Sequence, residues 1–269
     1  MSLFDFLKKQ HHDTTQPETA PSAPAEAPAE RKSLAEIARE AQARAQAAAQ
    51  AAPSAADKEP EPAEASQPMD FYSVQLTKGA PGLLDSKLGG VPYWDSTATY
   101  PCDGEGVPMR LLLQLNFDRL ELADERLPQH GVLQFFIAQS PRCEGTVIYH
   151  PSVDETAEQG EFPTMPSHDG FSPVKAEALV SLHREDAEAT SDGHKLFGTP
   201  AFCQGDPRET LPAEEMDYYD TLLLQLDSDF NGGDPLLLWG DSGVGNFFIH
   251  AQALKNSDFS KTLFYWDCY

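Results

Sequence analysis

The stretch "LLLQL" at residues 111–115 returns letter for letter at 222–226. Five apolar-rich residues of strand length, with one glutamine in the fourth place, read as a buried strand bounded by polar positions. The surroundings of the two copies match as well. "KLGGVP" at 87–92 returns as "KLFGTP" at 195–200, "GVLQFFI" at 131–137 as "GVGNFFI" at 243–249, and "TVIY" at 146–149 as "TLFY" at 262–265. The four offsets are 108, 111, 112 and 116, in one order and drifting slowly, as small loop insertions would make them. The sequence therefore predicts two copies of one supersecondary unit, near 86–150 and 194–266, forming two pseudo-equivalent halves.

Each unit has strand texture. "RLLLQLNF" and "TLLLQLDS" are continuous apolar runs, and "GVLQFFIA" and "GNFFIHA" follow a glycine-bearing turn and carry aromatics suited to a pleated surface. Between the units, Ser172-Pro173 opens "VKAEALVSLHRED" with helix-start signals, and Ala176, Leu179, Val180 and His183 would line one face of that helix. The expected class is α+β: mostly antiparallel sheet with flanking helices and an internally duplicated core.

Residues 1–69 differ in kind. From residue 11 to 69 Ala, Pro, Glu and Gln dominate and no aromatic occurs, a composition that cannot bury enough apolar surface to offset chain entropy. This predicts a disordered tail ahead of a folded domain over 70–269. Within the tail, a Ser33/Glu36 capping box and an alanine-rich interior would give a helix over 33–52, ended by Pro53. The net charge is -24. Only seven basic and eleven acidic side chains precede residue 70, so about -20 belongs to the remaining 200 residues. Such a surface repels nucleic acid and anionic membrane and attracts cationic partners. No apolar run approaches the roughly 18 residues of a membrane span. The N-terminal "MSLFDFLKKQ" does not fit a secretory signal. Cys102, Cys143, Cys203 and Cys268 lie far apart with no C-x-x-C, which speaks against structural zinc and for reduced thiols in a cytoplasmic protein.

The segments "SKLGGVPYW", "MRLLLQLNF", "GVLQFFI", "HKLFGTPAFCQGDPR", "DTLLLQLDSD", "WGDSGVGNFFI" and "DFSKTLFYWDCY" together resemble the YwqG-like family. They cover nearly all of 80–269 and none of the tail. The resemblance implies a bacterial domain of unknown biochemical function with an α+β fold. Occurrence of family members near toxin–immunity loci implies a protein-binding role. It supplies no catalytic residues.

Gly-Asp-Ser-Gly at 240–243 resembles the nucleophile peptide of trypsin-like proteases. The repeat argues otherwise: Ser242 aligns with His130 and Asp241 with Gln129, at the turn before the FFI strand in both copies. Val244 also breaks the G-x-S-x-G elbow pattern. Strand alternation places Gln114, Asn116 and Asp118 on one face and Gln225, Asp227 and Asp229 on its counterpart. Glutamines there would bond neighbouring backbone, whereas Asp227, Asp229 and Asp241 together would be hard oxygen ligands for Ca²⁺ or Mg²⁺. His194 is a candidate pH-sensitive group. Arg208 is a candidate ion-pair partner, and Trp94, Trp239 and Trp266 are candidate groove residues beside core packing. Gly89-Gly90 lacks the Gly-Lys-Ser/Thr of a phosphate loop, and no cofactor is expected.

The expected function is a non-enzymatic module that docks a cationic protein, with binding residues among Asn116, His194, Arg208, Asp227, Asp229, Trp239, Asp241 and Ser242 and no catalytic residue or resident metal. The alternative is a hydrolase or metal-dependent ligand-binding protein with Asp227, Asp241, Ser242 and His194 in a cleft between the halves.

Overall fold

The computed structural model describes residues 70–94, 98–141, 144–158, 170–185, 191–229 and 233–269. The predicted tail, its helix at 33–52 and Cys143 lie outside the described residues. Ten strands form one antiparallel sheet: β1 (Phe71–Lys78), β2 (Lys87–Leu88), β3 (Arg110–Asn116), β4 (Val132–Ile137), β5 (Gly145–His150), β6 (Ala178–Glu185), β7 (Lys195–Leu196), β8 (Thr221–Asp227), β9 (Val244–Ile249) and β10 (Leu263–Asp267). Their order is β10-β9-β8-β7-β1-β6-β2-β3-β4-β5. The sheet curls until its two edges meet, giving a nearly closed barrel. At the seam, Gly145 of β5 lies against Phe264 of β10, where a side chain on the glycine would strike the ring.

The interior is apolar. Leu113, Leu115, Leu133, Phe135, Leu224, Leu226, Phe247 and Phe264 belong to one buried cluster. Phe135 and Phe247 meet at 5.1 Å between ring centroids, edge to face, so the two LLLQL/FFI pairs touch through the core. Trp239 is fully buried, and its indole occupies the space a side chain at Gly245 would need. Both LLLQL strands carry a bulge at the same place, between Leu111 and Leu113 and between Leu222 and Leu224. An extra residue there bends the strand toward closure.

The pairings read alike from either end of the sheet. Lys87 sits opposite Gln114 as Lys195 sits opposite Gln225. Gln134 faces Gln114 as Asn246 faces Gln225. β1 and β6, however, are exchanged. The strand that precedes β2 in the chain pairs with β7, and the strand that precedes β7 pairs with β2, the two meeting along Phe71–Lys78 and Ala178–Glu185. The bonds Val74 N–H to His194 O and Val180 N–H to Ser86 O, both 2.9 Å, tie each exchanged strand to the other run.

Three expectations need correction. The sheet does not carry flanking helices as an α+β fold would. Among the described residues the α-helices are α1 (Ala213–Tyr218) and α2 (Ala251–Lys255), with one 3-10 turn at Pro207–Thr210. The helix expected after Ser172-Pro173 is instead β6. Ser172 Oγ accepts the Val174 N–H at 3.2 Å, which turns the chain without starting a helix. Ala178 and Val180 are then buried while Leu179 and Ser181 are exposed, a period of two. Full-length pairing with β1, more than a hundred residues earlier, overrides the local helix signals. The fourth repeat match also slips by one residue: Thr146 lies opposite Phe136, but Leu263, not Thr262, lies opposite Phe248. A one-residue shift reverses the face of every side chain in a strand.

Candidate functional site

The outer face of each LLLQL strand is covered by the loop around its KL strand, and buried polar side chains hold that cover. In the first run Gln114 donates to the Leu83 and Asp85 carbonyls, both at 2.9 Å, and accepts the Tyr93 N–H at 2.9 Å. Gln134 donates to Gln114 Oε1 at 2.8 Å and to the Tyr93 carbonyl at 2.7 Å. With both of its N–H groups spent, Gln134 uses its oxygen to accept from His150 Nε2 at 3.0 Å, which sets the proton on that nitrogen. Lys87 is 1% exposed and donates to the Gly82 and Leu83 carbonyls, both at 2.9 Å. Burial lowers its pKa from 10.5 to about 8, against the pull of Asp85 and Glu177.

The second run repeats the scheme with different endings. Gln225 donates to the Ser191 and Gly193 carbonyls and accepts the Ala201 N–H at 2.7 Å. Lys195, also 1% exposed, bonds the Ser191 and Thr199 carbonyls, and burial brings its pKa to about 8. Opposite Val244 stands Asp267, in the place that His150 holds opposite Val132. Its carboxylate accepts the Cys203 N–H and, at 2.7 Å, the Gln204 N–H, fastening the loop shut. Burial and then the charge of Asp267 push the Cys203 thiol up to about 11, which leaves it a poor nucleophile.

In the first run that position holds a buried ring instead of a carboxylate. Tyr93 and Trp94 each meet the His150 ring at 5.2 Å, edge to face. Beside them lies a cavity of about 390 Å³ lined by Tyr93, Trp94, Ser152, Val153, Asp154, Ala157 and Glu158. The Tyr93 hydroxyl accepts the Asp154 N–H at 3.1 Å and latches the two loops that form its walls. Asp154 Oδ1 in turn accepts from the Thr156 N–H and hydroxyl, giving the loop a fixed turn.

The sequence candidates fall in several places. Asn116 is buried and donates to the Leu84 carbonyl at 2.7 Å, while its N–H reaches Ser86 Oγ. His194 does the work of Ser86 in the second run: its Nδ1 accepts the Asp227 N–H at 3.0 Å. Burial lowers the His194 pKa, with Asp227 and Asp229 opposing. Asp227 caps the strand end, accepting from the Gly193 and Ser228 N–H groups. The Asp229 N–H bonds the Leu237 carbonyl. Trp239 is core. Asp241 and Ser242 sit in a turn closed by the Gly243 N–H on the Trp239 carbonyl at 2.8 Å, and the Ser242 carbonyl accepts from Cys203 Sγ. Arg208 grips Asp206 through Nε and Nη2, donates to the Tyr219 carbonyl and lies 4.4 Å from the Phe248 ring centre. Burial alone would raise the Asp206 pKa, but these bonds hold it below its ordinary value. His194 and Asp227 thus meet, Ser242 is tied to Cys203, and no bond joins Ser242 Oγ to a histidine among the described residues. Nor, among them, is any group of three His, Cys, Asp or Glu side chains placed to hold a metal ion, so Asp227, Asp229 and Asp241 do not form a cation site.

Sequence reasoning missed the buried lysines and the cavity. A signal for the lysines existed: Lys87 and Lys195 recur in both copies inside an otherwise apolar and glycine-rich segment. None existed for the cavity, whose walls come from loops some sixty residues apart. A family model described as "Domain of unknown function (DUF1963)" matches residues 86–268, a span that contains the second to tenth strands and both loops of the cavity. No curated protein matches the chain.

Proposed function

Given that the chain belongs to this domain family of unknown function, we propose that it is a non-enzymatic protein-binding module whose acidic barrel docks a cationic partner. The observation that carries this reading is uncompensated charge. The chain has a net -24, and several cations of the barrel are already engaged. Arg119 pairs with Asp85 and Glu155, Arg126 with Asp124, Arg184 with Asp70 and Arg208 with Asp206. Lys87 and Lys195 are buried. Exposed carboxylates beyond these pairs, such as Glu121 and Glu214, steer an oppositely charged surface. The polar network supports the reading too, since its side chains are spent on fastening loops and so give a rigid docking surface.

Within this reading the protein is a bacterial cytoplasmic member of the YwqG-like group, with an immunity-type or regulatory role against a toxin domain or another client. The domain over 70–269 is the working part, and residues 1–69 act as a tether. The two runs of strands derive from one duplicated unit; the shared bulge, the paired lysines and the paired glutamines support that origin. The test is to capture the partner with the full chain, purify it and measure affinity between about 20 mM and about 150 mM salt. The Kd should rise at least about tenfold across that range. An affinity indifferent to salt would remove the electrostatic basis of the proposal.

A further inference from the structure

We infer that the cavity between the Tyr93-Trp94 and Ser152–Glu158 loops receives one arginine side chain of a partner protein; the inference rests on the cationic-partner reading and deepens it. Two features of the cavity point to a guanidinium. Its volume, about 390 Å³, admits a guanidinium with its stem. Its lining joins an indole to two carboxylates, Asp154 and Glu158. Guanidinium is planar, stacks on aromatic rings and bonds carboxylates through paired N–H groups, which suits that lining better than a compact ammonium.

The walls are set in advance. The Trp94 indole N–H donates to the Ala98 carbonyl at 3.0 Å, and its ring packs against Tyr100 and at right angles to Phe136. Tyr93 is 3% exposed, held through Gln114, Gln134 and Asp154. The polar ladder beneath the cavity therefore positions its floor, so little ordering is needed on binding. Nearby, Arg119 is engaged in bridging Asp85 and Glu155. At the corresponding place in the second run the loop is pinned by Asp267, so the site belongs to the first run alone.

The experiment follows the indole N–H resonances of the full chain by NMR during titration with blocked Gly-Gly-Arg-Gly-Gly. Its citrulline counterpart serves as the uncharged control, and agmatine as a free guanidinium. The three tryptophans give separate reporters, with Trp239 buried as an internal control. The arginine peptide should shift the Trp94 signal with a Kd on the order of 1 mM, and citrulline should weaken binding at least about tenfold. In Trp94→Leu, which lacks that reporter, the backbone amide shifts of Ser152–Glu158 on titration should be lost. Glu158→Gln, a change at an exposed position that leaves the core untouched, should weaken binding a few-fold with an unaltered spectrum elsewhere. Equal shifts with arginine and citrulline, or none at Trp94, would overturn the inference. So would agmatine binding more than about tenfold tighter than the peptide, since a free small cation would then be the occupant. A purified partner whose affinity depends on salt but ignores Trp94→Leu and Glu158→Gln would sink the cavity and leave the docking proposal standing. Peptide binding at Trp94 with a partner affinity indifferent to salt would do the reverse.

Discussion

Replacing Lys87 by methionine should change the pH dependence of stability more than stability itself. The ammonium is 1% exposed, and its pKa falls from 10.5 to about 8. That difference corresponds to about 3 kcal/mol of cost to the folded state wherever both states carry the proton, below pH 8. Between about pH 8 and 10.5 the folded chain has released the proton while the unfolded chain keeps it. Unfolding then takes up a proton, and stability rises with pH. Methionine removes this cost and fills similar volume, but it leaves the Gly82 and Leu83 carbonyls one donor short. Each retains another partner, from Asp85 N–H and from Gln114 respectively, so the loss is roughly 1 kcal/mol apiece. Lys87→Met should therefore be about 1 kcal/mol more stable than the wild type at pH 7 and about 2 kcal/mol less stable near pH 10.5. Urea unfolding at half-unit pH steps measures this directly. Taking the difference between the two proteins cancels the groups that act the other way. Those are Cys203 and the tyrosines Tyr72, Tyr100, Tyr149 and Tyr219, whose pKa values burial raises. Parallel profiles for the two proteins would refute the account of a costly buried ammonium.

Two further substitutions test the architecture. A side chain at Gly243 would run into the Asp267 carbonyl, so Gly243→Ala should push β10 outward and cost about 3 kcal/mol, read as a lowered urea midpoint. An unchanged midpoint would mean that the β9–β10 register is looser than described. Ser242→Ala should leave stability within about 0.5 kcal/mol and leave partner affinity unchanged, because the observed role of Ser242 runs through its carbonyl. A loss of affinity beyond about tenfold would return the Gly-Asp-Ser-Gly turn to the site.

The strands were legible because burial on both faces writes them as continuous apolar runs. LLLQL packs inward against the barrel and outward beneath a loop, and the one glutamine marks where the loop is fastened. β6 was not legible, because Ser-Pro followed by scattered apolar residues fits a helix until its partner β1 is known. The candidate residues of the second run were recognisable as polar and set at strand ends. Their task was not, since a carboxylate that ties down a loop and one that binds a ligand look the same in one dimension. Asp227 accepts from the Gly193 and Ser228 N–H groups, which only the folded chain reveals. The cavity depends on which loop folds over which, and no spacing between Trp94 and Asp154 encodes that.

The exchange of β1 with β6 has a consequence for the chain as it is made. Residues 71–78 have their hydrogen-bonding partners at 178–185 and 195–196. During synthesis β1 has neither of these partners until about a hundred further residues are out, and β2, though β3 soon covers one of its edges, must wait for β6 on the other. A ribosome adding roughly 5–20 residues per second leaves that edge bare for several seconds. Nor can either run of strands be cut out as an independent piece, since each borrows its flanking strand from the other. A second molecule offers the same missing strand at the same moment, so a crowded polysome is the place where this barrel would close between two chains instead of within one.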